Sequence, residues 1–303
     1  MPAINCTKSL SPLSNRTLFG VSPEEYDLGS TLTSGQAFRW VERGGAWEGV
    51  IGPRWVRLRQ TGQGIEAETA APTTDWSWLE HYLQTHVSLQ AILPTFPDDS
   101  PMRESMAACR GLRLLRQDPW ECLASFILSS TKQIVQIQQI IRLLCARYGP
   151  PLDPSTVHPL DAAFPIAAQI AGVTEDGLRG CKMGFRAPYL LATARRVADG
   201  AMDLEALRGM TMEEAEARLL ELPGVGEKIA QCVLLFAYDF PRAFPIDVWV
   251  RRALVELYFP RRRPSPARLR RFIATHFGPH AGYAQQYLFH YMRTQTERRG
   301  PRE

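Results

Sequence analysis

The feature that most constrains the fold of this chain is a change in the spacing of its apolar residues. In residues 26–70, short runs such as Gln36–Trp40 and Trp55–Arg59 alternate apolar and polar side chains. Alternation with period two is typical of half-buried strands and predicts an antiparallel sheet. Later segments have helical spacing instead. We therefore predict an α+β protein, with an N-terminal antiparallel sheet domain with helices over residues 1–115 and an all-helical domain over 116–303.

Capping residues, glycines and prolines divide the helical part. Asp118 followed by Pro119 marks a helix start, because the carboxylate can cap the helix and proline suits its first position. The polar stretch Ser129–Lys132 interrupts an apolar run and predicts a joint between two helices. Further helices are predicted near residues 100–115, 161–171, 174–180, 186–199, 212–221, 228–238, 248–258, 266–276 and 280–293.

Composition excludes several classes of protein. A chain of 303 residues that is 45% hydrophobic can build real cores, so disorder is not expected. No apolar run approaches the roughly 18–20 residues of a membrane span, and the N-terminus lacks a signal-peptide pattern. We expect a soluble, unexported protein with no membrane partner. The six cysteines lack the spacing of a zinc or iron–sulfur site, which predicts buried thiols and no metal.

Charge is uneven along the chain. The net charge is +4, but the segment from Arg251 onward holds twelve arginines and three glutamates, a balance of +9 that leaves −5 for the rest. A basic region on a mildly acidic remainder suits a protein that presents one face to DNA. A solvated arginine-rich loop within residues 261–271 is an equally good interpretation of charge alone.

The most informative motif is the run LPGVGEKIA at residues 222–230, between two helical patterns. Gly224 and Gly226 allow a tight turn around Val225 and expose backbone N–H groups at the start of a helix. Such a turn binds phosphate without reading the bases. Alone, it is equally a plain helix-to-helix connection.

Two side chains near this hairpin indicate chemistry. Lys228 opens the following helix in apolar surroundings, where a lysine loses part of its preference for the charged form and can act as a nucleophile. The alternative is a lysine that reaches solvent or phosphate. Asp247 precedes another helix, where it is either only an N-cap or a carboxylate that stabilises positive charge on a sugar as its base departs.

Residues 222–247 resemble the helix-hairpin-helix, glycine/proline, aspartate (HhH-GPD) superfamily of DNA glycosylases, and residues 28–293 are similar to its 8-oxoguanine glycosylases, in a bacterial-like form. The resemblance implies an intracellular glycosylase and AP lyase of base excision repair, cytoplasmic in a bacterium or nuclear in a eukaryote. It implies a monomer that acts on double-stranded DNA containing an oxidised purine. The other matches are SGQAFRW (34–40), FILSS (126–130), GFRAPY (184–189) and GYAQQYLF (282–289).

The resemblance also implies the role of each site residue. Lys228 would attack the sugar and form a Schiff base, Asp247 would stabilise the oxocarbenium-like state, and β-elimination would cleave the strand 3′ to the site. No cofactor is implied for catalysis, although backbone carbonyls of the hairpin can hold a monovalent cation. The Gly35 carbonyl would read the N7 proton that distinguishes the oxidised base. The remaining roles are the base sandwich (Cys232, Phe289), the Watson–Crick edge (Gln285), the duplex wedge and gap (Phe185, Arg186) and the opposite base (Thr131, Gln136).

Four positions depart from the pattern of the eukaryotic enzymes. Thr131 and Gln136 replace the asparagine and arginine that recognise the opposite cytosine, which predicts relaxed opposite-base selectivity. Trp249 replaces a histidine and Met292 replaces its aspartate partner, which predicts more apolar packing near the catalytic centre.

Three other interpretations stay open. A glycosylase for another damaged purine shares the fold and Asp247, although purely hydrolytic members typically lack Lys228. A noncatalytic hairpin protein would use the motif only for phosphate contact. An unrelated helical protein would use these residues structurally, with Cys232 and Phe289 in a core and Gly35 in an ordinary turn.

Overall fold

A computed structural model describes residues 14–130, 132–152, 162–261 and 263–299, with side chains up to residue 296. Its five strands form one antiparallel sheet in the order β1-β5-β4-β3-β2, which confirms the predicted sheet. The alternation in β4 buries Val56 and Leu58 on one face and turns Arg57 and Arg59 to the other. The strands are β1 (Ser14–Phe19), β2 (Val41–Arg43), β3 (Ala46–Ile51), β4 (Arg54–Thr61) and β5 (Gly64–Thr73).

The sheet differs from the prediction in one place. Gln36–Trp40 is not a strand but an irregular segment, and β2 begins only at Val41. All five of its residues are buried, Gln36 and Arg39 included, so the alternation does not separate a buried face from an exposed one. The Gln36 side chain instead holds the segment through hydrogen bonds to the backbone of Thr31, Arg113 and Leu115.

Fourteen α-helices are assigned within the described ranges. The start of α5 is as predicted, since the Asp118 carboxylate accepts a hydrogen bond from the Glu121 N–H at 2.8 Å. The polar joint is confirmed as well, because α5 ends at Ser129 and α6 begins at Ile134. The helices are α1 (Leu28–Thr33), α2 (Ser77–Leu83), α3 (Leu89–Ile92), α4 (Ser100–Ala108), α5 (Pro119–Ser129), α6 (Ile134–Tyr148), α7 (Ala167–Ala171), α8 (Glu175–Arg179), α9 (Ala187–Ala198), α10 (Met212–Leu220), α11 (Glu227–Tyr238), α12 (Val248–Ala253), α13 (Pro266–His276) and α14 (Ala281–Arg299).

Three helix predictions differ from the structure: two predicted helices are too long, and one continues in a different helical form. The helix predicted over 100–115 ends at Ala108, ahead of Gly111, whose φ of +74° is incompatible with a continuous α-helix. Of the helix predicted over 161–171, residue 161 lies outside the described residues and only Ala167–Ala171 is helical. Past Ala253, the helix predicted over 248–258 continues as a π-helix.

Two hydrophobic cores build two lobes. One core fills the sheet lobe (β1–β5 with α1 and α2), and the other fills the helical lobe (α3–α14). Arg39 of the sheet lobe ties the lobes together, with its Nη1 atom 3.6 Å from the Glu121 carboxylate in α5. Arg116 pairs with Asp239 at the end of α11. No helix in the described part of the chain is both long and apolar enough to cross a membrane.

Candidate active site

A cavity of about 770 Å³ opens where the two lobes meet. The Gly35 turn of the sheet lobe forms one wall, and the ends of α5, α6, α11 and α12 with the middle of α14 form the others. The cavity therefore collects residues that lie far apart in the sequence. Its lining includes Gly35, Phe38, Phe126, Ser129, Ser130, Lys132, Ile134, Lys228, Asp247, Trp249, Phe289 and Arg293.

The Gly35 turn is held in place by side chains of the helical lobe. The Gln286 side chain of α14 donates a hydrogen bond to the Ser34 carbonyl at 2.8 Å, and Gln117 donates to the Gln36 carbonyl at 2.7 Å. Gly35 itself has φ +76°, where L side chains are strained. A Cβ at this position would lie 3.1 Å from Ile134 and 3.2 Å from the Phe289 ring. The glycine thus keeps both the backbone conformation and the space beside Phe289.

Lys228 lies in the first turn of α11 and points into the cavity. Its Nζ atom donates a hydrogen bond to the Ser129 hydroxyl at 3.1 Å and lies 4.9 Å from the centre of the Phe126 ring. A fixed amine between a hydroxyl and an aromatic face, half-buried in a cavity, is suited to attack an electrophilic carbon. Sequence reasoning assigned no role to Ser129 or Phe126, although Ser129 belongs to the polar joint that it singled out.

Asp247 caps α12 and also lines the cavity. One carboxylate oxygen accepts a hydrogen bond from the Val250 N–H at 2.8 Å, which holds the group in place. Burial raises the pKa of this carboxyl, while the Val250 N–H and the nearby Lys228 ammonium act in the opposite direction. A held, partly desolvated carboxylate can stabilise a positive charge that forms in the cavity.

The predicted base pocket combines Gly35 and Phe289, which line the cavity, with two buried residues. Cys232 and Gln285 are each 3% exposed. Burial raises the pKa of the Cys232 thiol to about 11, and the neighbouring Lys228 opposes this shift. The Gln285 Oε1 atom is buried and accepts no hydrogen bond from the described residues.

The hairpin forms between α10 and α11. Gly224 has φ +78°, and an added Cβ would lie 2.6 Å from Cβ of Tyr189. Val225 is buried and its N–H bonds to the Leu222 carbonyl at 3.1 Å, which closes the turn. Gly226 is exposed and is the N-cap of α11, so this helix start is accessible to an anion.

Phe185 and Arg186 form a short 3₁₀ turn ahead of α9. Phe185 is 56% exposed, so its ring is accessible to a ligand. Arg186 is 2% exposed, and its guanidinium carbon lies 4.3 Å from the centre of the Phe185 ring. The exposed ring therefore rests on a buried cation.

The other predicted positions are Gln136, Thr131, Trp249 and Met292. Gln136 is exposed on α6, accepts a hydrogen bond from the Gln133 N–H, and lines a separate cavity of about 680 Å³. Thr131 lies outside the described residues. Trp249 lines the catalytic cavity, and Met292 is buried in the helical core beside it.

The described residues contain no group of three or more histidines, cysteines, aspartates or glutamates placed to hold a metal ion. The five described cysteines are all buried and unpaired, as predicted.

Family models match most of the chain. Residues 18–123 match the 8-oxoguanine DNA glycosylase N-terminal domain, and residues 124–279 match the HhH-GPD superfamily base excision DNA repair protein. A probable N-glycosylase/DNA lyase of Methanothermobacter thermautotrophicus is 30% identical, over 89% of this chain and 94% of its own length. The N-glycosylase/DNA lyase OGG1 of Arabidopsis thaliana is also 30% identical, over 88% of this chain and 77% of its own length.

Solved structures agree with these relatives. The Clostridium acetobutylicum 8-oxoguanine glycosylase/lyase, in complex with double-stranded DNA containing cytosine opposite 8-oxoguanine, superposes with a TM-score of 0.84 and 30% identity. The superposition covers 90% of this chain and 93% of that one. MBOgg1 in complex with a low affinity DNA ligand superposes with a TM-score of 0.88 and 30% identity. That superposition covers 94% of this chain and 98% of the MBOgg1 chain. The chain therefore belongs to the HhH-GPD superfamily of base excision DNA repair proteins, with an 8-oxoguanine glycosylase N-terminal domain.

Proposed function

We propose that this protein is a bifunctional 8-oxoguanine DNA glycosylase and AP lyase of base excision repair. The observation that carries the proposal is the placement of Lys228 in the cavity between the lobes, held by Ser129, with the Asp247 carboxylate in the same cavity. The proposal is further supported by the relatives named as N-glycosylase/DNA lyases and by the Clostridium structure with 8-oxoguanine DNA.

The first chemical step replaces the bond between base and sugar. The unprotonated Lys228 amine forms a bond to C1′ while the glycosidic bond breaks, and the base leaves with the electron pair and takes up the proton that the attacking nitrogen releases. Asp247 stabilises the positive charge that develops on the sugar during this exchange. An enzyme-linked imine forms as the sugar ring opens.

The second step cleaves the strand. The imine makes the C2′ hydrogen acidic, so loss of that proton is followed by rupture of the C3′–O bond and departure of the phosphate on the 3′ side. Water then hydrolyses the imine and regenerates the lysine. These residues perform the reaction with no metal ion or organic cofactor.

Recognition of the lesion follows from the walls of the cavity. A base must leave the duplex to reach Lys228, which costs a few kcal/mol of unstacking. We assign Phe185 to the wedge, Arg186 to the gap, and Phe289 with Cys232 to the faces of the extruded ring. The unpartnered Gln285 Oε1 can accept hydrogen bonds from N1–H and the exocyclic amine of a guanine-type base. The Gly35 carbonyl would then accept the N7 proton that only the oxidised base carries.

The hairpin and the opposite-base positions complete the proposal. The exposed N–H groups at Gly226 bind a DNA phosphate, and the backbone carbonyls of the hairpin hold a monovalent cation. Because Thr131 and Gln136 replace the asparagine and arginine that recognise cytosine in the eukaryotic enzymes, the enzyme accepts several opposite bases. The protein acts as a monomer.

The test is borohydride trapping on duplexes that carry 8-oxoguanine opposite each of the four bases. The wild type should give a covalent adduct and base release, and Lys228→Gln should give no adduct. Lys182→Gln, which changes an exposed lysine, should trap like the wild type.

Binding without adduct or release in the wild type would reduce the hairpin to a phosphate clamp. Release of an alkylated purine but not of 8-oxoguanine would favour the glycosylase for another damaged purine. Similar rates opposite all four bases would support relaxed selectivity, whereas strict preference for cytosine would contradict it.

A further inference from the structure

The chain uses arginine for nearly all of its cations. Among its 35 basic residues, only Lys8, Lys132, Lys182 and Lys228 are lysines. Two of these four, Lys132 and Lys228, line the catalytic cavity. The cavity therefore holds two lysine side chains, each a compact ammonium on a flexible stem, whereas the proposed mechanism uses only that of Lys228.

Lys132 lies at the joint between α5 and α6, directly beside the residue that holds the nucleophile. Its backbone N–H bonds to the Ser129 carbonyl at 3.3 Å, while the Ser129 hydroxyl accepts from Lys228. The Lys132 side chain is half-buried. Within the described ranges, no hydrogen bond or ion pair holds its ammonium, so this cation is available to a ligand.

The charges that line the cavity point to an anionic ligand. Lys132, Lys228 and Arg293 face a single carboxylate, that of Asp247. Lys228 is held by Ser129, and Arg293 donates to the Thr33 carbonyl at 2.7 Å. The anion that a flipped nucleotide brings to this cavity is its own phosphodiester, because the base and sugar are uncharged.

The position of Lys132 favours a contact with the flipped nucleotide. Gln136, the position assigned to the opposite base, lines the separate cavity on α6. Lys132 lines the cavity of Lys228 and Phe289, which the flipped nucleotide would enter.

We propose that the Lys132 ammonium binds the phosphodiester adjoining the flipped nucleotide and so positions the sugar beneath Lys228. The inference rests on the proposed function, since it needs a flipped nucleotide. Lys132 is a positioning residue here, and Lys228 remains the nucleophile.

The test measures the affinity of Lys132→Gln for three duplexes, with 8-oxoguanine, with a tetrahydrofuran abasic analogue, and undamaged, across a range of salt concentrations. A lost phosphate contact should weaken lesion and abasic duplexes equally, by about five- to tenfold near 100 mM salt, and lower the salt slope by about one. Lys132→Arg should restore most of the affinity, because it keeps the charge. Arg103→Gln removes one exposed cation on α4. It should leave the ratio of the affinities for the abasic and undamaged duplexes unchanged.

Each other outcome overturns the proposal in a distinct way. Weaker binding of the 8-oxoguanine duplex alone would mean that Lys132 contacts the base. Loss of strand cleavage in both Lys132→Gln and Lys132→Arg, with affinity intact, would mean that it acts as an amine. Unchanged affinity and salt slope in Lys132→Gln would mean that it binds no phosphate. Because the abasic analogue has no base to excise, this test reads the phosphate contact even if wild-type trapping fails.

Discussion

The Ser129 hydroxyl accepts a hydrogen bond from the Lys228 amine at 3.1 Å and so helps to orient this amine in the cavity. Ser129→Ala removes that bond, which is worth about 0.5–1.5 kcal/mol. We expect the single-turnover rate of borohydride trapping to fall by about two- to tenfold, while affinity for the abasic analogue stays the same. Ser130→Ala is the matched control, because Ser130 lines the same cavity without bonding Lys228. A wild-type trapping rate in Ser129→Ala would show that the amine is held by other contacts.

Gly35 meets two requirements that an alanine cannot meet. Alanine at φ +76° is strained by about 1–2 kcal/mol, and its methyl group would press on the Phe289 ring at 3.2 Å. Gly35→Ala should therefore reduce excision of 8-oxoguanine by at least about tenfold but leave cleavage of a preformed abasic site nearly unchanged. Excision kinetics on the two substrates would measure this.

The control for Gly35 separates strain from crowding. Gly45 has φ +72° and open space around an added Cβ, so Gly45→Ala carries the strain alone. Equal losses of excision in both variants would contradict a role for the space beside Phe289.

The hairpin depends on two glycines that have different tasks. Gly224 needs both a positive φ and contact with Tyr189, whereas Gly226 has an ordinary φ of −104° and open space around it. Gly224→Ala should cost about 2–5 kcal/mol of unfolding free energy and should weaken DNA binding. Gly226→Ala should cost only about 0.5–1 kcal/mol, because its φ and the open space admit a methyl group and only the preference of the N-cap for glycine over alanine is lost. Urea unfolding of both variants tests this, and equal destabilisation would contradict it.

Regular elements were predictable where local signals were strong. The spacing of apolar residues and the caps at Asp118 and Asp247 located α5 and α12, and the prolines and glycines bounded most later helices. Gln36–Trp40 misled because its alternation reflects a loop held by tertiary hydrogen bonds and buried on all sides. The helix predicted over 100–115 was too long because its apolar spacing continues past Ala108, whereas Gly111 has φ +74° and its carbonyl accepts a hydrogen bond from the Asp27 N–H.

Of the candidate site, only the motif in residues 222–247 could be predicted from the sequence. Lys228, Asp247 and the hairpin lie within 26 residues of each other and could be proposed together from the sequence. Ser129, Lys132 and Arg293 enter the cavity from α5, the joint and α14, so their convergence depends on how the lobes pack. No local sequence pattern predicts that packing, so the places of these three residues in the cavity could be identified only from the structure.

The contact between the lobes includes a carboxyl that should make stability depend on pH. Burial raises the pKa of Glu121 from 4.5 to about 7, while Arg39, which donates to the Ala162 carbonyl at 2.5 Å, acts in the opposite direction. A raised pKa means that the folded state holds the proton more tightly than the unfolded state. Stability contributed by the protonated form is therefore complete below about pH 4.5 and is lost as pH rises toward 7.

Glu121→Gln removes this titration and should flatten the dependence of the unfolding free energy on pH. Between pH 5 and pH 8, the wild type should lose roughly 1–3 kcal/mol of unfolding free energy relative to the variant. Urea unfolding at both pH values measures the difference, and Glu80→Gln, an exposed carboxyl on α2, should run parallel to the wild type. If the unfolding free energy of Glu121→Gln changed with pH as that of the wild type does, the Glu121 carboxyl would be ionised at both pH values. Glu121 and Arg39 would then stabilise the contact between the lobes as a permanent charge pair.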